Sequence, residues 1–220
     1  MFAVVFDFDG TILDSEMAEY RSHHRFFSDH GVDLSEDEWA TGVGLLKPDS
    51  HWFERLCVRC AAPPTFERFR DTTRTYFRER VPVEPMPGIA ALLGALVAAG
   101  VPRAVGSSAP ADWVVAGLDG LRLTPLFNAI VTGDQVENLK PAPDVYLEVA
   151  RRLDIAPDRC VVIEDSGPGL ASARAAGMKT VAIPHPLSRG HDFSGADLQV
   201  TSAADLDLAT LRALLQSTSA

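Results

Sequence analysis

Phe2-Ala3-Val4-Val5-Phe6-Asp7-Phe8-Asp9-Gly10-Thr11 opens the chain with an apolar run that ends on two aspartates. The run does not alternate between apolar and polar side chains. It therefore reads as a strand buried on both faces, the kind found in the middle of a parallel sheet. Ligands of open parallel sheets bind beyond the carboxyl ends of the strands, so Asp7 and Asp9 fall at the mouth of a crevice. Gly10 allows the sharp turn that must follow. Two carboxylates this close resist joint ionisation unless a cation or a shared proton intervenes. That cost marks Asp7 and Asp9 as a catalytic pair rather than ordinary turn residues.

Three later segments end in chemistry of the same kind. Pro102-Arg103-Ala104-Val105-Gly106-Ser107-Ser108 is a short strand closing on hydroxyls; a Ser in such a place often caps a helix, and Ser108 or Asp112 suits that part. Lys140-Pro141-Ala142-Pro143-Asp144 stands just before the helical pattern Val145 to Ala150. Cys160-Val161-Val162-Ile163 is a second buried strand, and it runs into Glu164-Asp165-Ser166-Gly167-Pro168-Gly169. The Gly-x-Gly here is not a dinucleotide fingerprint, because no third Gly completes the spacing and two acids would face the pyrophosphate.

Taken in order, the four segments resemble the motifs of the haloacid dehalogenase superfamily, subfamily I, the group of β-phosphoglucomutases, sugar phosphatases and phosphoglycolate phosphatases. The resemblance spans nearly the whole chain. It implies that Asp7 is the nucleophile that forms an aspartyl-phosphate and that Asp9 is the general acid/base. Ser107, with Ser108 beside it, and Lys140 would bind the phosphoryl group. Mg²⁺ would be held by Asp7, Asp9 (through its backbone carbonyl), Asp165 and Glu164. With Asp9 protonated, Asp7, Glu164 and Asp165 carry about three negative charges, which Mg²⁺ and Lys140 would balance. The expected activity is Mg²⁺-dependent hydrolysis of a small phosphorylated metabolite resembling a sugar phosphate. The alternatives are a β-phosphoglucomutase-type phosphotransferase and a binding module that keeps the fold without the chemistry. Asp9 argues against dehalogenase and phosphonate-hydrolase chemistry, since those relatives lack the second Asp.

The first and second motifs lie much further apart than one strand-helix-strand unit requires, which takes ~30–40 residues. A whole domain is therefore expected between them. The fold class is α/β: a Rossmann-like parallel sheet with helices on both faces, residues 1–14 and 84–220, plus an inserted α-helical cap, residues 15–83. Strands are expected near Ala104–Gly106, Ala129–Thr132, Val161–Ile163 and Thr180–Ile183, with an edge strand at Asp197–Val200 and a closing helix from Leu206 to Leu215. The cap should select the substrate, through Glu19, His23 and His24 on its first helix and the loop Thr41-Gly42-Val43-Gly44-Leu45-Leu46-Lys47. In the mutases a His and an Arg occupy the places of Glu19 and Leu45, and their absence favours hydrolysis.

The net charge of −10 gives no support for nucleic-acid binding. The longest apolar stretch, Ile89 to Val101, is too short to span a bilayer. Three cysteines make no disulfide framework, and Cys57-x-x-Cys60 lacks the second pair of a zinc site. The first strand begins almost at Met1, so no signal peptide is evident. These features lead to the expectation of a cytoplasmic enzyme, a monomer or weak homodimer, whose partner is a small phosphorylated metabolite and neither nucleic acid nor membrane.

Overall fold

The computed structural model describes residues 1–43 and 48–216. In chain order its main elements are β1 (Ala3–Phe6), α1 (Ser15–Asp29), α2 (Glu36–Ala40), α3 (Pro48–Arg59), α4 (Phe66–Arg78), α5 (Ile89–Ala98), β2 (Arg103–Gly106) and α6 (Ala111–Gly120). There follow β3 (Ala129–Val131), α7 (Asp144–Leu153), β4 (Cys160–Glu164), α8 (Gly167–Ala175), β5 (Lys179–Ala182), β6 (Leu198–Gln199) and α9 (Leu208–Leu214). The strands form one sheet in the order β3-β2-β1-β4-β5-β6. Every pairing is parallel.

β1 lies between β2 and β4, with Phe6 opposite Val105 on one side and Ile163 on the other. This register brings the ends of β1, β2 and β4 level, so the residues that follow each strand meet at one edge. Side chains alternate faces along a strand, and here both faces are covered. Ala3, Val5 and Val162 pack with Val145, Tyr146 and Val149 of α7 and Ala173 of α8. Val4, Phe6, Val161 and Ile163 on the opposite face are also fully buried. That two-sided burial is why the strands read as unbroken apolar runs.

The chain divides into two compact units. One comprises Met1–Leu13, Val83–His185 and His191–Ala220 and contains the sheet. The other comprises Asp14–Pro82 together with the short remote segment Pro186–Gly190. The helical unit has its own apolar core of Phe26, Phe27, Leu34, Trp39, Trp52, Leu56 and Phe69. Leu187 of the remote segment is packed into that core and is 1% exposed. Phe26 of α1 meets Phe69 of α4 edge to face at 5.3 Å, and Trp39 stacks on Trp52 at 4.6 Å. Asp14, whose side chain accepts from the Met17 N–H, starts α1 at the point where the chain enters this unit.

The helix after β2 starts differently from the expectation. Pro110, not Ser108 or Asp112, holds the N-cap position of α6, and no side chain caps it. Ser107 and Ser108 are otherwise engaged, as described below. Among the described residues no helix is long and apolar enough to cross a membrane. Cys57 falls near the end of α3 and Cys60 just beyond it; both are free thiols.

Candidate active site

Asp7 still belongs to the sheet, since its N–H donates to Ile163 O at 3.0 Å, and it is 7% exposed. The chain then reverses. Phe8 O accepts from the N–H groups of Ile12 and Leu13, at 2.9 and 3.1 Å. Gly10 sits inside this turn at φ +81°, and a Cβ there would collide with the Asp165 carboxylate. Both the backbone conformation and the close approach therefore demand glycine. At the end of β4, Glu164 is fully buried and Asp165 nearly so. Asp7, Glu164 and Asp165 each bring a carboxylate oxygen within 4.8 Å of the others.

Lys140 reaches this cluster from the loop before α7. Its Nζ donates to Asp7 Oδ1 at 2.5 Å and to Glu164 Oε1 at 2.7 Å, and it lies 4.7 Å from the centre of the Tyr146 ring. The Tyr146 hydroxyl donates to the same Glu164 Oε1 at 2.7 Å. Glu164 Oε2 accepts from the N–H groups of Asp165 and Ser166 and from the Ser166 hydroxyl, at 3.0–3.1 Å. Five donors thus converge on one carboxylate, enough to occupy all of its roughly four lone-pair sites. Gly169 is part of the same packing, because a Cβ on it would overlap the Glu164 carboxylate.

The electrostatics follow from three carboxylates facing one ammonium in a dry place. Burial pushes the Asp7 carboxyl up from its ordinary 3.8 to about 8; Lys140 pulls against this, while Glu164 and Asp9 add to the rise. Burial alone would lower the Lys140 ammonium, yet Asp7 and Glu164 more than offset it and hold the group above its usual value. Tyr146 is raised well above the phenol range by burial, with the Glu164 charge next. The cluster is therefore short of positive charge. Its remaining donors are carboxylate oxygens, the ligand type that a hard divalent cation such as Mg²⁺ takes. Asp7 and Asp165 suit that part, whereas both oxygens of Glu164 are taken, Oε1 by Lys140 and Tyr146 and Oε2 by the Asp165 and Ser166 donors.

The other sequence-selected residues gather at the same sheet edge. The Ser107 hydroxyl oxygen accepts from the Ala109 N–H at 3.0 Å, and the Ser108 hydroxyl oxygen accepts from the Lys140 N–H at 3.2 Å. Each hydroxyl keeps its own hydrogen to donate. Asp9 is half-buried, and its Oδ1 accepts from Trp113 Nε1 at 2.9 Å. Trp113, whose ring also meets Phe8 edge-on, was not selected from the sequence, and neither was Tyr146. Each looks like one more apolar position on its helix. Only the tertiary contact reveals the polar end of each ring as a hydrogen-bond donor.

In the helical unit the picture changes for His23. It is 2% exposed, and its ring packs between Trp39 at 4.9 Å and Phe69 at 5.4 Å. Burial lowers its pKa to about 4, so the ring is neutral at physiological pH. His23 is therefore packed into the core of that unit. Glu19, one turn earlier on α1, is half-buried. Gly44, Leu45, Leu46 and Lys47 lie outside the described residues.

Comparison with known proteins bears on the family of this chain. Residues 4–183 match the family model described as haloacid dehalogenase-like hydrolase. The chain is 34% identical over 213 residues to the protein YhcW of Bacillus subtilis, covering 95% of both. It is 30% identical over 193 residues to the phosphorylated carbohydrates phosphatase of Thermotoga maritima, covering 86% of this chain and 88% of that one. Among solved structures it resembles CbbY of Rhodobacter sphaeroides in complex with xylulose-(1,5)-bisphosphate, with a TM-score of 0.73 and 28% identity over 96% of this chain and 99% of that one. The paired aspartates, the lysine, the acidic strand end and a family match over most of the length agree: the chain belongs to the haloacid dehalogenase-like hydrolases.

Proposed function

We propose that this protein is a Mg²⁺-dependent phosphatase that hydrolyses a small phosphorylated metabolite, a sugar phosphate in class, through an aspartyl-phosphate on Asp7. The observation that carries the reading is the Asp7 carboxylate, buried at the end of the central strand and held 2.5 Å from Lys140 Nζ beside Asp165. A carboxylate cannot approach a phosphate dianion unless positive charge is already in place. Here the ammonium is fixed on the attacking carboxylate itself. Mg²⁺ held by Asp7 and Asp165, with the Asp9 carbonyl, would serve as template and Lewis acid for the phosphoryl oxygens.

The remaining steps belong to the chain's own side chains. Asp7 Oδ attacks phosphorus and the ester P–O bond breaks, while protonated Asp9 gives its proton to the departing alkoxide. Ser107 and Ser108 donate to the phosphoryl oxygens. Asp9, now ionised, takes a proton from a water molecule that attacks the same phosphorus. The acyl-phosphate bond breaks, inorganic phosphate leaves, and Asp7 and Asp9 return to their starting states. Glu164 keeps Lys140 extended toward Asp7, and Tyr146 steadies Glu164. The sugar-phosphate class is supported by the relatives that bind or dephosphorylate such compounds. The segment that contains Gly44, Leu45 and Lys47 is assigned to recognition of the part of the substrate beyond its phosphoryl group.

The direct test is phosphate release from a panel of sugar phosphates, nucleotides and phosphoglycolate. Chelation should abolish it, Mg²⁺ should restore it, and Ca²⁺ should restore it poorly, because Ca²⁺ takes more and longer oxygen contacts. Full turnover in metal-free buffer would overturn the proposal. A pH signature accompanies it. Asp7 holds its proton up to about 8 in the free protein, and a metal ligand must give that proton up. Mg²⁺ affinity should therefore rise with pH and level off near that value, with proton release below it. Calorimetric titration in buffers of different ionisation enthalpy reads this directly, and an affinity that does not change between pH 6 and 8 counts against Asp7 as a ligand.

Trp113 provides a second test. Trp113→Phe keeps a ring in place but removes the donor to Asp9. An N–H donor favours the ionised carboxylate, so its loss should raise the Asp9 pKa and move the alkaline limb of kcat/KM to higher pH. A hydrogen bond to a charged group contributes ~1.5–3 kcal/mol, so kcat should fall roughly 10- to 100-fold. If Trp113→Phe lowers activity without moving that limb, the indole acts by packing alone.

A further inference from the structure

The helical unit contains a second cluster of potential ligands, independent of the sheet edge: Glu19, His23 and Asp49, whose ligand-type atoms lie within 4.8 Å of one another. Glu19 and His23 are four residues apart on α1 and so share one face of it. Asp49 comes from the first turn of α3. The orientation of the His23 ring decides what this cluster can hold.

His23 Nδ1 lies 3.0 Å from the Glu19 backbone carbonyl oxygen, which can only accept, so the ring hydrogen sits on Nδ1. The Ser22 hydroxyl, 3.3 Å from the same nitrogen, does not compete, because it donates to the Glu19 carbonyl at 2.7 Å. Nε2 is left with a bare lone pair. That nitrogen is buried with no hydrogen-bond partner, and it lies 4.0 Å from Asp49 Oδ1. A buried acceptor thus faces a partly exposed carboxylate, while Trp39 and Phe69 hold the ring where it is. Leaving a buried acceptor in this state is costly, and a cation between the two groups removes the cost. Neutral imidazole nitrogen is the commonest protein ligand for metal ions.

We propose that Glu19, His23 and Asp49 bind a divalent transition-metal ion, Zn²⁺ in kind, within the helical unit. Zn²⁺ accepts both imidazole nitrogen and carboxylate oxygen, and three such protein ligands leave a fourth position for water. They do not suit Mg²⁺, which prefers oxygen alone. The two clusters therefore differ in donor chemistry and share no residue.

The test uses the full chain in millimolar Mg²⁺, which holds the oxygen donors at the sheet edge, and Co²⁺ as a spectroscopic stand-in for Zn²⁺. Equilibrium dialysis should retain a single Co²⁺ per chain, displaceable by Zn²⁺. Its spectrum should lack the near-ultraviolet thiolate band that Cys57 and Cys60 would produce. His23→Gln and Asp49→Asn should each weaken retention by about tenfold or more, while Asp165→Asn should leave it unchanged. Asp49 is partly exposed, so its substitution leaves the packing of the unit intact and guards against a folding defect in His23→Gln. Retention that is absent in the wild type, that survives both substitutions, or that shows the thiolate band would overturn the proposal. Each result is read by metal binding, so it is distinct from any failure of the phosphatase reading.

Discussion

Asp7→Asn is expected to bind phosphate esters and turn over none of them. By the scale of other nucleophile deletions, kcat should drop by roughly 10⁴-fold or more. Acid quench followed by intact-mass measurement should find no phosphoryl adduct on this variant. Asp9→Asn, given an activated leaving group that needs no protonation, should instead accumulate one. A phosphoenzyme on the Asp7→Asn protein would refute the assignment outright. The substitution has an opposite effect on stability. In the metal-free fold Asp7 keeps its proton up to about 8, whereas the unfolded carboxyl loses it near 3.8. Between those values the unfolded chain binds fewer protons, so stability falls as pH rises. A neutral amide in place of the carboxyl carries no such penalty. Thermal melts in chelator should show the wild type losing stability from about pH 5 to pH 8 and the variant holding level; parallel losses would remove Asp7 as the titrating group.

Lys140→Met should have the next largest effect, and of a different kind. The substitution retains a chain of similar bulk over Tyr146 but deletes the ammonium shared by Asp7 and Glu164, whose oxygens lie 2.5 and 2.7 Å away. The buried Glu164 carboxylate then lacks its counter-charge, and Asp7 does too wherever it is ionised; breaking a buried pair in this way costs ~3–5 kcal/mol of stability. Loss of one preorganised charge at the phosphoryl group should lower turnover about 10²–10³-fold. Because the phosphoryl group is common to every substrate, kcat/KM should fall in equal proportion for all of them. Side-by-side profiles on several esters decide the matter: a change in substrate ranking would move Lys140 from chemistry to recognition.

The parts of this molecule that were legible in its sequence are those written in local pattern. Ala3–Phe6 and Val161–Ile163 are apolar at every position because both faces of the sheet are covered, and such runs announce central strands whose following residues share one edge. What stayed hidden depends on contacts between distant residues. The indole N–H of Trp113 on Asp9 and the phenol of Tyr146 on Glu164 join positions 104 and 18 residues apart, and neither ring breaks the apolar periodicity of its helix. The burial of His23 was hidden for the same reason: only the packing of Trp39 and Phe69 around it reveals a core position. The division of labour between Glu164 and Asp165 was also out of reach, because adjacent acids look alike until their donors are known.

Leu187 also bears on the order in which this chain can fold during synthesis. The helical unit is encoded almost entirely before the second strand of the sheet, yet Leu187, which fills part of its core, lies in Pro186–Gly190. The ribosome must add roughly a hundred further residues before that side chain emerges, about 5–20 s at ordinary elongation rates. During that interval the nascent helices carry an open apolar pocket, while β1 waits for its neighbours β2 and β4. Neither unit can finish alone, so the last steps of both fall after most of the polypeptide has been made, and the exposed pocket is where a chaperone would have most to hold.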